Sequence, residues 1–245
     1  MSTSLSRPRP SREVTFTNAV IGGAAIALGI FTIVTLAGQG SFVSAAISNA
    51  LVQIGRWLGA MPAADSRVYW YMARSAGVVA YLLLWGSVAW GLMVSNKILD
   101  GIVKPPVVYE LHKSLSILAL VTGMFHGLIL LGDSYMQYSV LDILIPFRSS
   151  YQPIWVGLGT LGLYLTAILV VSFYIKKHIG HRAWRLLHYT SFGVWIMITL
   201  HGIMAGTDTQ LLLMQVLYVV AIVSVGYLLT YRLVADKKPA RARAR

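Results

Sequence analysis

The chain has no cysteine in 245 residues. That excludes disulfides, thiolate zinc sites, iron–sulfur clusters and any cofactor attached through a CxxCH motif, so a metal has to be held by histidine or oxygen. Acidic residues are scarce too, 8 Asp and Glu against 20 Lys and Arg, and charged residues of both signs make up only 11% of the chain. No GxGxxG fingerprint follows a strand, so no flavin or nicotinamide domain is expected within it. Internal repeats and low-complexity stretches are absent as well.

What is present in excess is apolar: 57% of the residues are hydrophobic, more than the core of a water-soluble domain needs. The apolar residues gather in runs at 18–38, 68–95, 107–131, 154–175, 183–204 and 211–234. Each run reaches the roughly 20 helical residues that cross hydrocarbon. The expected fold is an all-α integral membrane protein, a bundle of six transmembrane helices. Its domain plan is a basic tail at 1–16, one transmembrane domain at 17–234 and a basic tail at 235–245. The first run follows a basic tail as a signal peptide would, but its apolar stretch is longer than a signal core, so it reads as a retained helix.

A net charge of +12 raises the question of a nucleic-acid partner, which the placement of the charges answers. With six spans and both tails on one side, that side collects Arg7, Arg9, Arg12, Lys97, Lys104, Lys113, Lys176, Lys177, Arg182, Arg185 and six more from Arg232 to Arg245, sixteen of the twenty. Arg56, Arg67, Arg74 and Arg148 are left for the other side. This is the positive-inside asymmetry, and it puts both termini in the cytoplasm, the expected membrane being a bacterial inner one, with no nucleic acid required. In 40–59, Val43, Ile47, Leu51, Ile54 and Leu58 recur at helical spacing opposite Ser44, Ser48 and Gln53, which predicts an amphipathic helix lying on the outer membrane surface.

Four of the six histidines, His112, His126, His188 and His201, fall inside apolar spans. One such histidine is as readily a hydrogen-bonding partner of a neighbouring helix as a ligand. Four are a pattern. Thirteen residues separate the pair in the third span and twelve separate the pair in the fifth. Those two spans run in the same direction, so the histidines match in depth at two levels about 20 Å apart. At the inner level His112 would face His188, and at the outer level His126 would face His201, each pair offering two axial imidazoles to one iron. On an ideal helix His201 points about 140° away from His188, which predicts a change of winding near Gly193. Gly123, Gly127, Gly193 and Gly202 supply small side chains beside these positions, either for a macrocycle or for ordinary helix packing.

The segments WYMARSAGVVAYLLL from Trp70, ELHKSLSILALVTGMFH from Glu110 and HRAWRLLHYTSFGVWIMITLHGIMAGTDT from His181 resemble the ferric reductase-like transmembrane domain family over about 67–232. The resemblance implies that His112, His126, His188 and His201 are axial ligands of two b-type haems. It further implies that electrons pass from a cytoplasmic donor, a separate flavin or NAD(P)H reductase or a quinone, to an external metal chelate, oxygen or a periplasmic protein. The family includes the haem-binding membrane subunit of a periplasmic methionine sulfoxide reductase system, which typically lacks one of these histidines; all four here favour the two-haem reductase type. The alternative from another class is a protein that only binds or transports haem.

Arg74 lies at the depth of the outer histidines with no acid in its own span, so a haem propionate is its expected partner, and snorkelling to lipid headgroups is the alternative. His178 and His181, two ligands at most, read as part of a solvated basic loop. Asp208 reads as a turn residue, with ordering the outer haem edge or attracting a cation as the alternative, and Trp195 reads as a packing residue or a neighbour of both haems.

Overall fold

A computed structural model describes residues 66–133 and 136–235. The first expected span, the amphipathic segment 40–59 and the tails on either side of 66–235 lie outside the described residues. Within them the chain is helical: α1 Ser66–Ser95, α2 Pro105–Ile129 continued by a short 3-10 turn Leu130–Gly132, α3 Val140–Leu144, α4 Pro153–Ile179, α5 His181–Ala205 and α6 Leu212–Ala235. Among the described residues there is no strand.

Five of these helices, all but α3, are long and apolar enough to cross a membrane. They correspond to the second through sixth expected spans. At about 1.5 Å per residue, 24 to 30 residues extend about 36 to 45 Å, more than the roughly 30 Å of hydrocarbon. Many side chains facing out are large and apolar, including Leu118, Val121 and Phe125 on α2 and Leu213, Val219 and Val223 on α6, with Leu213 79% exposed. In water that surface would be costly at about 25 cal/mol per Å². Lipid removes the cost, so the chain is a multi-pass membrane protein.

Helix ends follow local chemistry. Pro105 and Pro153 open α2 and α4, where a proline loses no ladder hydrogen bond. Between α4 and α5 stands a single residue, Gly180, with φ 82° and ψ 150°. The expectation of a solvated loop across 176–182 is corrected here. Lys176, Lys177 and His178 belong to the last turn of α4, and His181 already opens α5. A glycine free of Cβ turns the chain in one step.

The closest pairings are α1 with α2 and α4 with α5, two antiparallel hairpins. The main core lies where α1, α5 and α6 meet, around Tyr81, Val88, Leu92, Trp195, Met214, Tyr218, Ala221 and Val225. Helices α2 and α5, which carry the four histidines, are not among the pairs whose backbones pack closely.

Candidate functional site

An imidazole within a hydrophobic span must place its N–H on an acceptor, and three of the four find one on a neighbouring backbone. His126 Nδ1 lies 2.7 Å from the Ala73 carbonyl, His112 Nδ1 lies 3.1 Å from that of Ser87, and His201 Nδ1 lies 2.9 Å from that of Trp155. A carbonyl only accepts, so in each ring Nδ1 carries the proton and Nε2 keeps its lone pair for a metal. At His112 the Ser87 hydroxyl is a further neighbour and bonds on to Ser116.

The fourth ring is held differently. His188 stacks on Trp184, with centroids 5.1 Å apart and planes 20° from parallel. Trp184 stacks in turn on His181 at 5.7 Å and 22°. The result is a row of three aromatic rings from the Gly180 end of the bundle inward.

Across the space between α2 and α5 the rings meet in pairs. His112 and His188 have centroids 6.1 Å apart, and His126 and His201 are 6.2 Å apart. Two imidazoles sharing one metal at about 2.0 Å each would have ring centres up to about 6 Å apart, so each pair would lie within reach of a single metal. Among the described residues no three His, Cys, Asp or Glu side chains gather at one point. Two imidazoles are too few for a bare structural zinc, so a metal fitting here brings its remaining ligands with it, as an iron macrocycle does. The donor set and the spacing of the rings fit such a group.

The change of winding expected near Gly193 does not occur. Helix α5 is continuous from His181 to Ala205, and both of its histidines still reach partners on α2. Side-chain direction and helix placement take up the difference that the ideal-helix argument assigned to the backbone.

Arg74 follows Ala73, whose carbonyl holds His126, and so stands at the His126 and His201 level. Its partner here is Asp208, through Nε and Nη2 to the two carboxylate oxygens, and its guanidinium lies 3.7 Å from the centre of the Trp70 ring. Helix α1 itself holds no acid, which is why a haem propionate is the partner expected from the sequence. Folding supplies one from the turn after α5, so Asp208 is more than a turn residue. Trp195 is 7% exposed and packs in the α1, α5 and α6 core. His181 accepts from Arg185 at 2.9 Å.

At the Asp208 end, the segment between α2 and α4 is fastened by tyrosines. Tyr138 bonds Ser149, Tyr151 donates to the Ala205 carbonyl and Tyr164 donates to that of Leu144. Burial pushes the Tyr138 phenol above the usual tyrosine range, with the Ser149 bond working against it.

Three residues escaped the sequence reading: Gly77, Gly91 and Gly159. A Cβ on Gly77 would stand 3.0 Å from His126, one on Gly91 3.1 Å from His112, and one on Gly159 2.7 Å from His201. The glycines that were singled out touch no histidine. Gly123 faces Leu163, Gly127 faces Ile143, Gly202 faces Tyr218, and Gly193 has nothing within 4 Å. A signal was present, since Gly77 and Gly91 are fourteen positions apart, as are His112 and His126.

No protein-family model, no curated protein and no solved structure matches the chain.

Proposed function

We propose that the chain is a transmembrane electron conduit of the ferric reductase-like type, with six spans, both termini cytoplasmic and two b-type haems stacked along the membrane normal. The observation that carries this reading is the pair of imidazole couples, 6.1 and 6.2 Å between ring centres. They stand at two levels about 20 Å apart, between helices that do not otherwise pack closely. His112 and His188 would hold one iron, and His126 and His201 the other. When bound, each haem supplies a one-electron iron couple.

The chain's own residues do the rest. The carbonyls of Ala73, Ser87 and Trp155 fix the tautomer and orientation of three ligands. Such tethered rings suit a retained six-coordinate iron better than a haem awaiting release. Arg74 brings positive charge to the His126 and His201 level, with Asp208 offsetting part of it. At the Gly180 end, the row His181, Trp184 and His188 leads inward beside Lys176, Lys177, Arg182 and Arg185. A separate flavin or NAD(P)H reductase, or a quinone, would deliver electrons there, and a ferric chelate, oxygen or a periplasmic protein would accept them at the Asp208 end.

The test is transmembrane reduction in liposomes. Ferricyanide trapped inside vesicles should bleach when reduced flavin is added outside to protein oriented with its Gly180 end outward, and His112→Ala should stop it. Haem-loaded protein that leaves the trapped ferricyanide oxidised contradicts the proposal.

A further inference from the structure

The histidines occupy their places because of what faces them on the neighbouring helix of the same hairpin. Helix α1 presents Gly77 to His126 and Gly91 to His112, and α4 presents Gly159 to His201. In each case the carbonyl that takes the Nδ1 proton belongs to the residue four positions before the glycine: Ala73, Ser87 and Trp155. In an α-helix that carbonyl already accepts the glycine's own N–H. An imidazole can reach it from the side only where no Cβ covers it. Any other L-residue would put a carbon within 2.7 to 3.1 Å of the ring, inside ordinary van der Waals contact.

We infer that Gly77, Gly91 and Gly159 are positioning residues for metal ligation. Each opens one backbone carbonyl, so that His126, His112 and His201 are held with Nδ1 protonated and Nε2 turned to the metal.

The register supports a built device rather than three accidents. In α1 the glycines repeat at the histidine spacing of α2, fourteen residues, as antiparallel neighbours require. In α4 the position thirteen residues after Gly159, matching the His188 to His201 spacing of α5, is Ser172. There the glycine is missing, and of His112, His126, His188 and His201 it is His188 that leans on Trp184 instead of a carbonyl. Other glycines serve ordinary packing, as Gly162 does against Ile198 at 2.6 Å, whereas Gly77, Gly91 and Gly159 each meet an imidazole. Gly86, between Gly77 and Gly91 on the same helix, would bring a Cβ only to 4.0 Å from Leu115.

The inference rests on the two-haem reading for its spectroscopic consequence but not for its steric one, so two measurements separate them. In full-length protein, Gly77→Ala or Gly159→Ala should shift the midpoint potential and low-spin electron paramagnetic resonance signal of the His126 and His201 haem, or remove it, leaving the other haem unchanged. Gly91→Ala should act on the His112 and His188 haem alone, and Gly86→Ala on neither. The steric arm is a double-variant cycle read as folded yield and melting temperature. The loss caused by Gly77→Ala should disappear when His126 is already alanine, because the ring that the new methyl strikes is gone. Glycine variants that leave their own level untouched in a two-haem protein, or a Gly77→Ala loss that persists without the His126 ring, overturn the inference. A wild type without haem overturns the two-haem reading, while the double-variant cycle still decides whether these glycines position the rings.

Discussion

At the scale of single residues, the charge beside the His126 and His201 level is set by a pair rather than by Arg74 alone. Asp208 meets the guanidinium at two points, and Trp70 covers it at 3.7 Å. A positive charge favours the reduced, more negative iron, and a negative charge disfavours it. In the proposed two-haem reading, Arg74→Gln should therefore lower the midpoint potential of the haem at that level, and Asp208→Asn should raise it. Each shift should be on the order of tens of millivolts, with the other haem still. Redox titration of the two variants checks the signs; shifts in the same direction for both would show that the pair does not act through its charge. Which residues were chemically interesting was legible in the sequence, because a histidine or arginine inside an apolar run stands out against its cost. Their partners were less so. Asp208 lies 134 positions from Arg74, and nothing local announces that the turn after α5 will close over α1.

At the scale of elements, the corner between α4 and α5 is one residue wide. Gly180 sits at φ 82° and ψ 150°, outside what an L-residue adopts at low cost. Gly180→Ala should thus destabilise the hairpin by about 1–3 kcal/mol, seen as lower folded yield and melting temperature; a stability equal to wild type would mean that the corner relaxes. Next to it, Trp184 bridges His181 and His188. Trp184→Leu should slow reduction of the His112 and His188 haem from the Gly180 side while dithionite still reduces it fully, which stopped-flow absorbance would resolve. An unchanged rate would remove Trp184 from the route. The five long helices among the described residues and their rough bounds were readable from apolar runs, since hydrocarbon thickness fixes their length, whereas the short α3 was not. The corner was not, because a run of charged residues looks the same at the end of a helix as in a loop. Nor were the facing glycines. Glycine serves close packing throughout membrane helices, and only the antiparallel register tells which one meets a histidine.

At the scale of the whole molecule, the four histidines belong to two hairpins. Helices α1 and α2 hold His112 and His126 on backbone carbonyls, and α4 and α5 hold His201 in the same way. Helices α2 and α5 are not among the closely packed pairs, and their imidazoles meet between them. A metal group ligated from both sides would tie the hairpins together, so stripping haem should lower the melting temperature by several degrees. It should also expose the segment between α2 and α4 to protease. An apo-protein as stable as the loaded one would mean that the core around Trp195 and Tyr218 holds the hairpins unaided. The central claim is that each level is a separate bis-histidine iron site, and the direct measurement is haem per folded polypeptide by pyridine haemochrome. Wild type should give two, and His112→Ala, His126→Ala, His188→Ala and His201→Ala should each give one. One haem or none in the wild type, or loss of both from a single histidine substitution that leaves the chain folded, would contradict it.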